Sequence, residues 1–308
     1  MHYFESGFFN RVPAWHNLGV VLEEAPTSED AIAAAGLDWK VEKKPIFDAS
    51  GKEIPSYFAN TRDKDGSVLG IVSGRYEIVQ NSEAFAFTDS LVDEGMVYET
   101  AGSLKDGKVV WLLGKLPRTT ILGDDLEPYV AFTNSFDGSG AIQVCCCHTR
   151  VVCANTLNLA LKEAKRKWSV RHCGDIQSKL HQARVTLGLI NAYTDSLNSE
   201  CERLAEIKTT DSCLENILDT MYPLTEDSTE RQKHRVDSIK ENYFNRLQSA
   251  DILKFKGTAY AAMMAATDYA DHSEPARKTR RFDENRWFQV MQGHPFVYNF
   301  YQYLVAAA

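Results

Sequence analysis

No stretch of about 18 uninterrupted apolar residues occurs in this sequence, and the opening MHYFESGFFNRVPAW has neither a basic n-region nor an unbroken apolar h-region. Neither a membrane-spanning helix nor an export signal is expected, which makes the cytoplasm the expected setting. Positive charge is also in deficit. With 34 Lys and Arg against 42 Asp and Glu the formal net charge is -8, so bulk electrostatic adhesion to nucleic acid is disfavoured, although a local basic groove is not excluded. Seven cysteines is an odd count, which argues for reduced thiols rather than a disulfide framework. Internal repeats and low-complexity tracts are missing apart from a terminal Ala306-Ala307-Ala308. So are a nucleophile elbow, an oxyanion signature and a third group to orient a base.

What is present suffices for a large core: 308 residues, 44% hydrophobic and 11% aromatic. Up to about residue 150, β-branched and aromatic runs alternate with turn signals at 48–51, 63–66, 105–107 and 136–140. The runs are 39–47, 57–61, 68–72, 76–79, 97–103, 109–113, 129–134 and 141–147. Asp106-Gly107 suits the positive φ of a tight hairpin turn. Two helices interrupt this half, at 28–35 after the Thr27/Ser28 cap and at 82–94, where Phe85, Leu91 and Val92 give an apolar face. Beyond residue 150 the periodicity is helical over 155–167, 175–207, 229–249, 255–271 and 295–306, with a weak link at 223–228. The expectation is an α+β fold: a twisted, mainly antiparallel sheet over 1–150 covered by helices, then an extended helical region over 151–308 with an exposed basic loop at 273–283.

The chemistry concentrates between residues 145 and 173. Cys145, Cys146, Cys147 and His148 lead to Arg150, Cys153 and Asn155, then to Lys162, Lys165, Arg166, Lys167 and Trp168, and finally to Arg171, His172 and Cys173. A zinc site needs four convergent ligands, normally from two paired knuckles. On a strand only Cys145 and Cys147 share a side, and no second knuckle follows, so packed thiols without a metal or cofactor are expected. Cys153, placed before an expected helix start, could act as a nucleophile, with His148 or His172 as its base; a structural thiol under the helix is the plainer reading. The third reading is a nucleic-acid interface. Arg150, Asn155, Lys162, Lys165, Arg166, Trp168, Arg171 and His172 combine phosphate-binding cations with an aromatic, and amides at the Asn155 helix start would add an anion site. Arg150, Asn155, Arg171 and His172 are expected to gather there. Tyr57, Phe58, Tyr76 and Trp111 are expected in the core by strand alternation. Asp63, Asp65, Asp124 and Asp125 fit turns. Asp268, Asp271 and His272 share a helical face that could hold a cation or simply complement the helix dipole.

Eight strings occur in this order: PAWHNLG (13–19), AGLDWKV (35–41), GRYEIVQNSEAF (74–85), TAGSLKDGKVVW (100–111), TNSFDGSGA (133–141), TRVVCANTLNLAL (149–161), RHCGD (171–175) and GTAYAAMMAATDYADH (257–272). Together they resemble the DUF932 family of phage and plasmid proteins, over roughly residues 10 to 272. The family has no assigned molecular function. The resemblance implies a mobile-element setting, and it directs attention to Cys153, Asn155, Arg171 and His172, which lie inside its motifs. The segment at 145–148 departs from the family's usual plainer sequence. Single-stranded nucleic-acid binding in replication or recombination, without catalysis, is the leading expectation, and a homo-oligomer is expected. The alternatives are an interaction protein that binds a host defence complex and a Cys/His or metal-dependent enzyme.

Overall fold

A computed structural model describes residues 4–10, 20–22, 27–92, 95–150, 167–175, 178, 189–273 and 293–307. The larger of two sheets is built from β1 (Phe4–Asn10), β2 (Val20–Leu22), β6 (Val97–Leu104), β7 (Val109–Lys115), β8 (Thr119–Ile121), β9 (Asp124–Ser135), β10 (Ile142–Arg150) and β11 (Lys167–Val170). Its order is β11-β10-β9-β7-β6-β1-β2, with β8 on β9. Every pair is antiparallel except β1 with β2. The second sheet is an antiparallel meander of β3 (Val41–Phe47), β4 (Glu53–Arg62) and β5 (Val68–Ser73). Helices α1 (Ser28–Ala34) and α2 (Asn81–Val92) lie in the first half. The second half holds α3 (Leu189–Glu206), α4 (Asp211–Met221), α5 (Glu230–Leu247), α6 (Ala250–Leu253), α7 (Ala259–Asp268), a π-helical turn at Tyr269–Ser273, and α8 (Pro295–Ala306). The α+β architecture with a helical C-terminal region is as the sequence pattern indicates.

Local chemistry explains most boundaries. Lys105, Asp106 and Gly107 take φ of 56, 58 and 83°, which lets β6 turn into β7 where Leu104 faces Val109. Thr229 caps α5 with a full capping box to Gln232, Thr210 and Thr258 cap α4 and α7, and His294 caps α8 ahead of Pro295. All ten residues of α7 are buried. A helix apolar on every side belongs in the middle of a packed layer, and α3, α5 and α8 surround this one.

The large sheet is apolar on both faces, as a sheet buried on two sides must be. Val110, Leu112, Phe132, Val144 and Cys146 join the main core, which includes Tyr193, Leu197 and Leu204 of α3. Leu104, Val109, Trp111, Ala131 and Cys145 form a second cluster on the opposite face. Cys145, Cys146 and Cys147 are buried in this packing.

Several details depart from the sequence reading. Residues 76–79 form no strand and lie outside any ladder. Lys167 opens a strand rather than closing a helix. Asp124 begins β9, buried and ion-paired with Lys254, rather than occupying a turn. Val92 is exposed. Tyr57 is 52% exposed, because it lies on the outer face of the three-stranded sheet, where no second layer covers it among the described residues.

Candidate functional site at the junction of Tyr76 and His172

Residues 74–80 leave β5 and reach α2 without pairing in a sheet, so their backbone polar groups need other partners. Side chains from distant segments supply them. The Asn134 amide donates to the Val79 carbonyl (2.9 Å), and the Tyr76 hydroxyl donates to the Ser135 carbonyl. The Gln80 amide closes two bonds with the Val41 backbone, at 3.0 and 2.9 Å. His172 completes the set. Its Nδ1 lies 2.9 Å from the Glu77 carbonyl, the Glu77 amide donates to the His172 carbonyl at 2.9 Å, and the imidazole stacks on Tyr76 with centroids 4.5 Å apart and 13° between planes.

This geometry sets the tautomer. A carbonyl only accepts, so Nδ1 carries the proton and Nε2 keeps its lone pair. Nε2 is buried, with no hydrogen-bond partner among the described residues. Burial lowers the His172 pKa below its ordinary 6.5, against a smaller upward contribution from the Glu77 carbonyl. Burial likewise holds the Tyr76 hydroxyl well above the usual phenol range, assisted by the nearby Asp137 carboxylate.

A stability prediction follows from the histidine. The unfolded chain takes up a proton near pH 6.5 and the folded chain resists it, so stability is full above that value and declines as the pH falls below it, until the lowered folded-state value is reached. Chemical denaturation at pH 7.5 and pH 5.5 is expected to show a loss steeper in the native protein than in His172→Gln, by at most about 1.4 kcal/mol per pH unit for one proton. Equal slopes in the two proteins would remove His172 from the account.

The same junction presents cations. Arg75 and Arg171 are exposed and immediately precede the stacked Tyr76 and His172. Lys167 is half-buried on β11, the edge of the large sheet, opposite Cys145. Lys167, Ser169 and Arg171 alternate along this edge, so the two cations are two side-chain repeats apart, roughly 13 Å at about 3.3 Å per residue. None of the three forms an ion pair among the described residues. Sequence reasoning missed Arg75, Tyr76 and Asn134 as members of this site. Their signal was the strings GRYEIVQN and TNSFDGSGA, which carry the residues that meet His172 and the 74–80 segment.

Other expected groupings fare differently. Val170 lies opposite Ile142, and Arg150 is eight positions further along β10, a separation of roughly 27 Å at about 3.4 Å per residue. Arg150 and Arg171 therefore do not gather; the antiparallel register of β11 carries Arg171 away. The Arg150 side chain, Cys153, Asn155, Lys162, Lys165, Arg166 and the expected basic loop at 274–283 lie outside the described residues. Trp168 is half-buried against the main core beside Val144, so only part of its ring faces outward. His148 is fully buried, with Nε2 2.9 Å from the Thr194 hydroxyl. That hydroxyl donates to the Ile190 carbonyl, so it accepts from His148 and fixes the proton on Nε2. Asp268 is buried and pairs with Arg246 at 3.4 Å, with His272 at 4.0 Å. Among the described residues no group of three His, Cys, Asp or Glu side chains could hold a metal ion, and no helix is long and apolar enough to cross a membrane.

Segments distant in sequence thus converge on one junction. A family model, the domain of unknown function DUF932, matches residues 68–288, and the chain belongs to that family. The match begins at β5, so the strings at 13–19 and 35–41 lie outside it. No curated protein and no solved structure matches the chain.

Proposed function

We propose that the protein is a non-enzymatic binding protein for single-stranded nucleic acid, with its phosphate contacts at the edge formed by Lys167, Arg171 and Arg75. The observation that carries this reading is that these cations lie, unengaged by carboxylates among the described residues, beside a junction whose backbone is held by buried side chains. Phosphates spaced along a flexible strand suit cations spaced along a β-edge. His172 acts as a positioning residue: it locks the segment bearing Arg171 to the segment bearing Arg75. The exposed Glu77 and the overall negative charge oppose association at long range, so micromolar affinity is expected. A role in the replication or recombination of a mobile element is consistent with such binding.

Fluorescence anisotropy with a labelled single-stranded oligonucleotide at low salt tests the reading. Affinity should fall with rising salt, by about one unit of log-log slope for each phosphate neutralised. Arg75→Glu together with Arg171→Glu should weaken binding at least tenfold while the far-ultraviolet circular dichroism stays native. Unchanged affinity in the double variant would overturn the assignment. A second reading, an interaction protein that binds a host complex, is favoured by one observation: Phe47, Tyr57, Val68 and Ile71 of the three-stranded sheet are all more than half exposed, an apolar surface of the kind that marks contact sites.

A further inference from the structure

We infer that β5 is an interface strand, which pairs antiparallel with β5 of a second copy of this chain to continue the three-stranded sheet across a two-fold axis. The sheet has two edges, and among the described residues only one is defended. Edge strands expose unpaired N–H and C=O groups and are normally blunted by charge, proline or a covering side chain. On β3 all three devices are present: Glu42, Lys43 and Lys44 supply charge, Pro45 has no N–H to offer, and the Gln80 amide occupies both backbone groups of Val41. On β5, with the sequence Val-Leu-Gly-Ile-Val-Ser, there is no charge and no proline. Its only strand partner among the described residues is β4.

The side chains and the flanking charges say what occupies this edge. Val68 and Ile71 are 55% and 51% exposed and lie opposite Thr61 and Ala59 on one face of the sheet. A two-fold axis through the middle of β5 sets Val68 of one copy beside Ile71 of the other, making the apolar cross-strand pairs that stabilise sheets. Antiparallel self-pairing also brings the turn before one strand next to the residues after the other. The exposed Asp63 of one copy then approaches the exposed Arg75 of its partner, Asp65 being already paired with Arg62 of its own chain, whereas a parallel arrangement would set the two 63–66 turns against each other. A second copy brings an uncharged strand already extended by its own pairing with β4, so little order is lost on docking.

Sedimentation velocity of the full chain over a micromolar concentration series tests this directly. A monomer–dimer equilibrium is expected, with concentration-dependent protection of the 68–73 amides in hydrogen exchange. Ile71→Lys, and separately Val68→Lys, should raise the dimer dissociation constant at least tenfold by setting a charge against the apolar side chain of the other copy. Both positions are exposed, and native circular dichroism checks the fold of each variant. Tyr57→Lys, on the same face but one strand away from the edge, should leave the equilibrium within twofold. A monomer at every concentration overturns the inference, as does a dimer indifferent to both edge lysines.

Discussion

Gly70→Ala is expected to lower the unfolding free energy by about 3 kcal/mol, the upper end of the range for forcing atoms into a packed site. A Cβ at this position would stand 2.9 Å from Asp137 Cβ, 3.0 Å from the Asp137 carbonyl carbon, and closer still to Asp137 Cα. The obstacle is backbone, and that backbone is held. Asn60 Nδ2 donates to the Phe136 carbonyl at 2.7 Å, Tyr76 holds Ser135, and the Asp137 carboxylate ties the turn to Ser139 through bonds of 2.9 and 2.6 Å. Relief therefore means moving the 135–140 turn away from β5 and breaking the contact between the two sheets. Gly114→Ala is the informative comparison. There the three atoms nearest the added carbon all belong to the Met96 side chain, including Cγ at 3.0 Å and Cε at 3.1 Å, and a methionine can change rotamer. Urea midpoints should rank native, Gly114→Ala and Gly70→Ala in descending order; a Gly70→Ala loss below about 1 kcal/mol would show that the turn yields.

Trp111→Ala should cost about 3–5 kcal/mol, the range for deleting a large buried aromatic. Trp111 is 1% exposed and packs with Leu104, Val109, Ala131 and Cys145. Its neighbours are short side chains on sheet strands pinned by ladder bonds, so they cannot collapse into the space. Tyr57→Ala, at a site that resembles it in the sequence, should stay within about 0.5 kcal/mol of the native protein, as surface substitutions do. Against a typical stability of about 5–15 kcal/mol, the first change threatens folding and the second does not. Equal midpoints for the two variants in chemical denaturation would contradict the assignment of the second sheet's outer face to solvent.

The comparison of Trp111 with Tyr57 also shows how far sequence reasoning reaches. Both sit in runs with strand character, and alternation places each on one face of a strand. Alternation cannot say whether a layer covers that face. The nucleic-acid candidates show the same limit. Lys167 and Arg171 are legible as cations near an aromatic, but that they line a sheet edge depends on the pairing of β11 with β10, and a four-residue strand leaves almost no periodic signal. The parting of Arg150 from Arg171 is likewise a matter of register, to which charge patterning is blind. His172 was singled out as a base or a phosphate contact. Its role as a clamp on Tyr76 and Glu77 joins positions about a hundred residues apart, a distance that no local rule spans.

The sequence by itself determined the elements whose causes are local. Helical periodicity marks α5 and α7, and Asp106-Gly107 turns β6 into β7; each depends on neighbours within a few residues, whereas α4 was not read from the sequence. It determined the α+β class and, through the order of its motifs, membership of the family. Only the tertiary structure decided which sheet each described strand joins and which cations end near one another. Those outcomes depend on strand register and on buried polar side chains reaching across the chain, where the energy of one contact is set by partners that the local sequence does not contain.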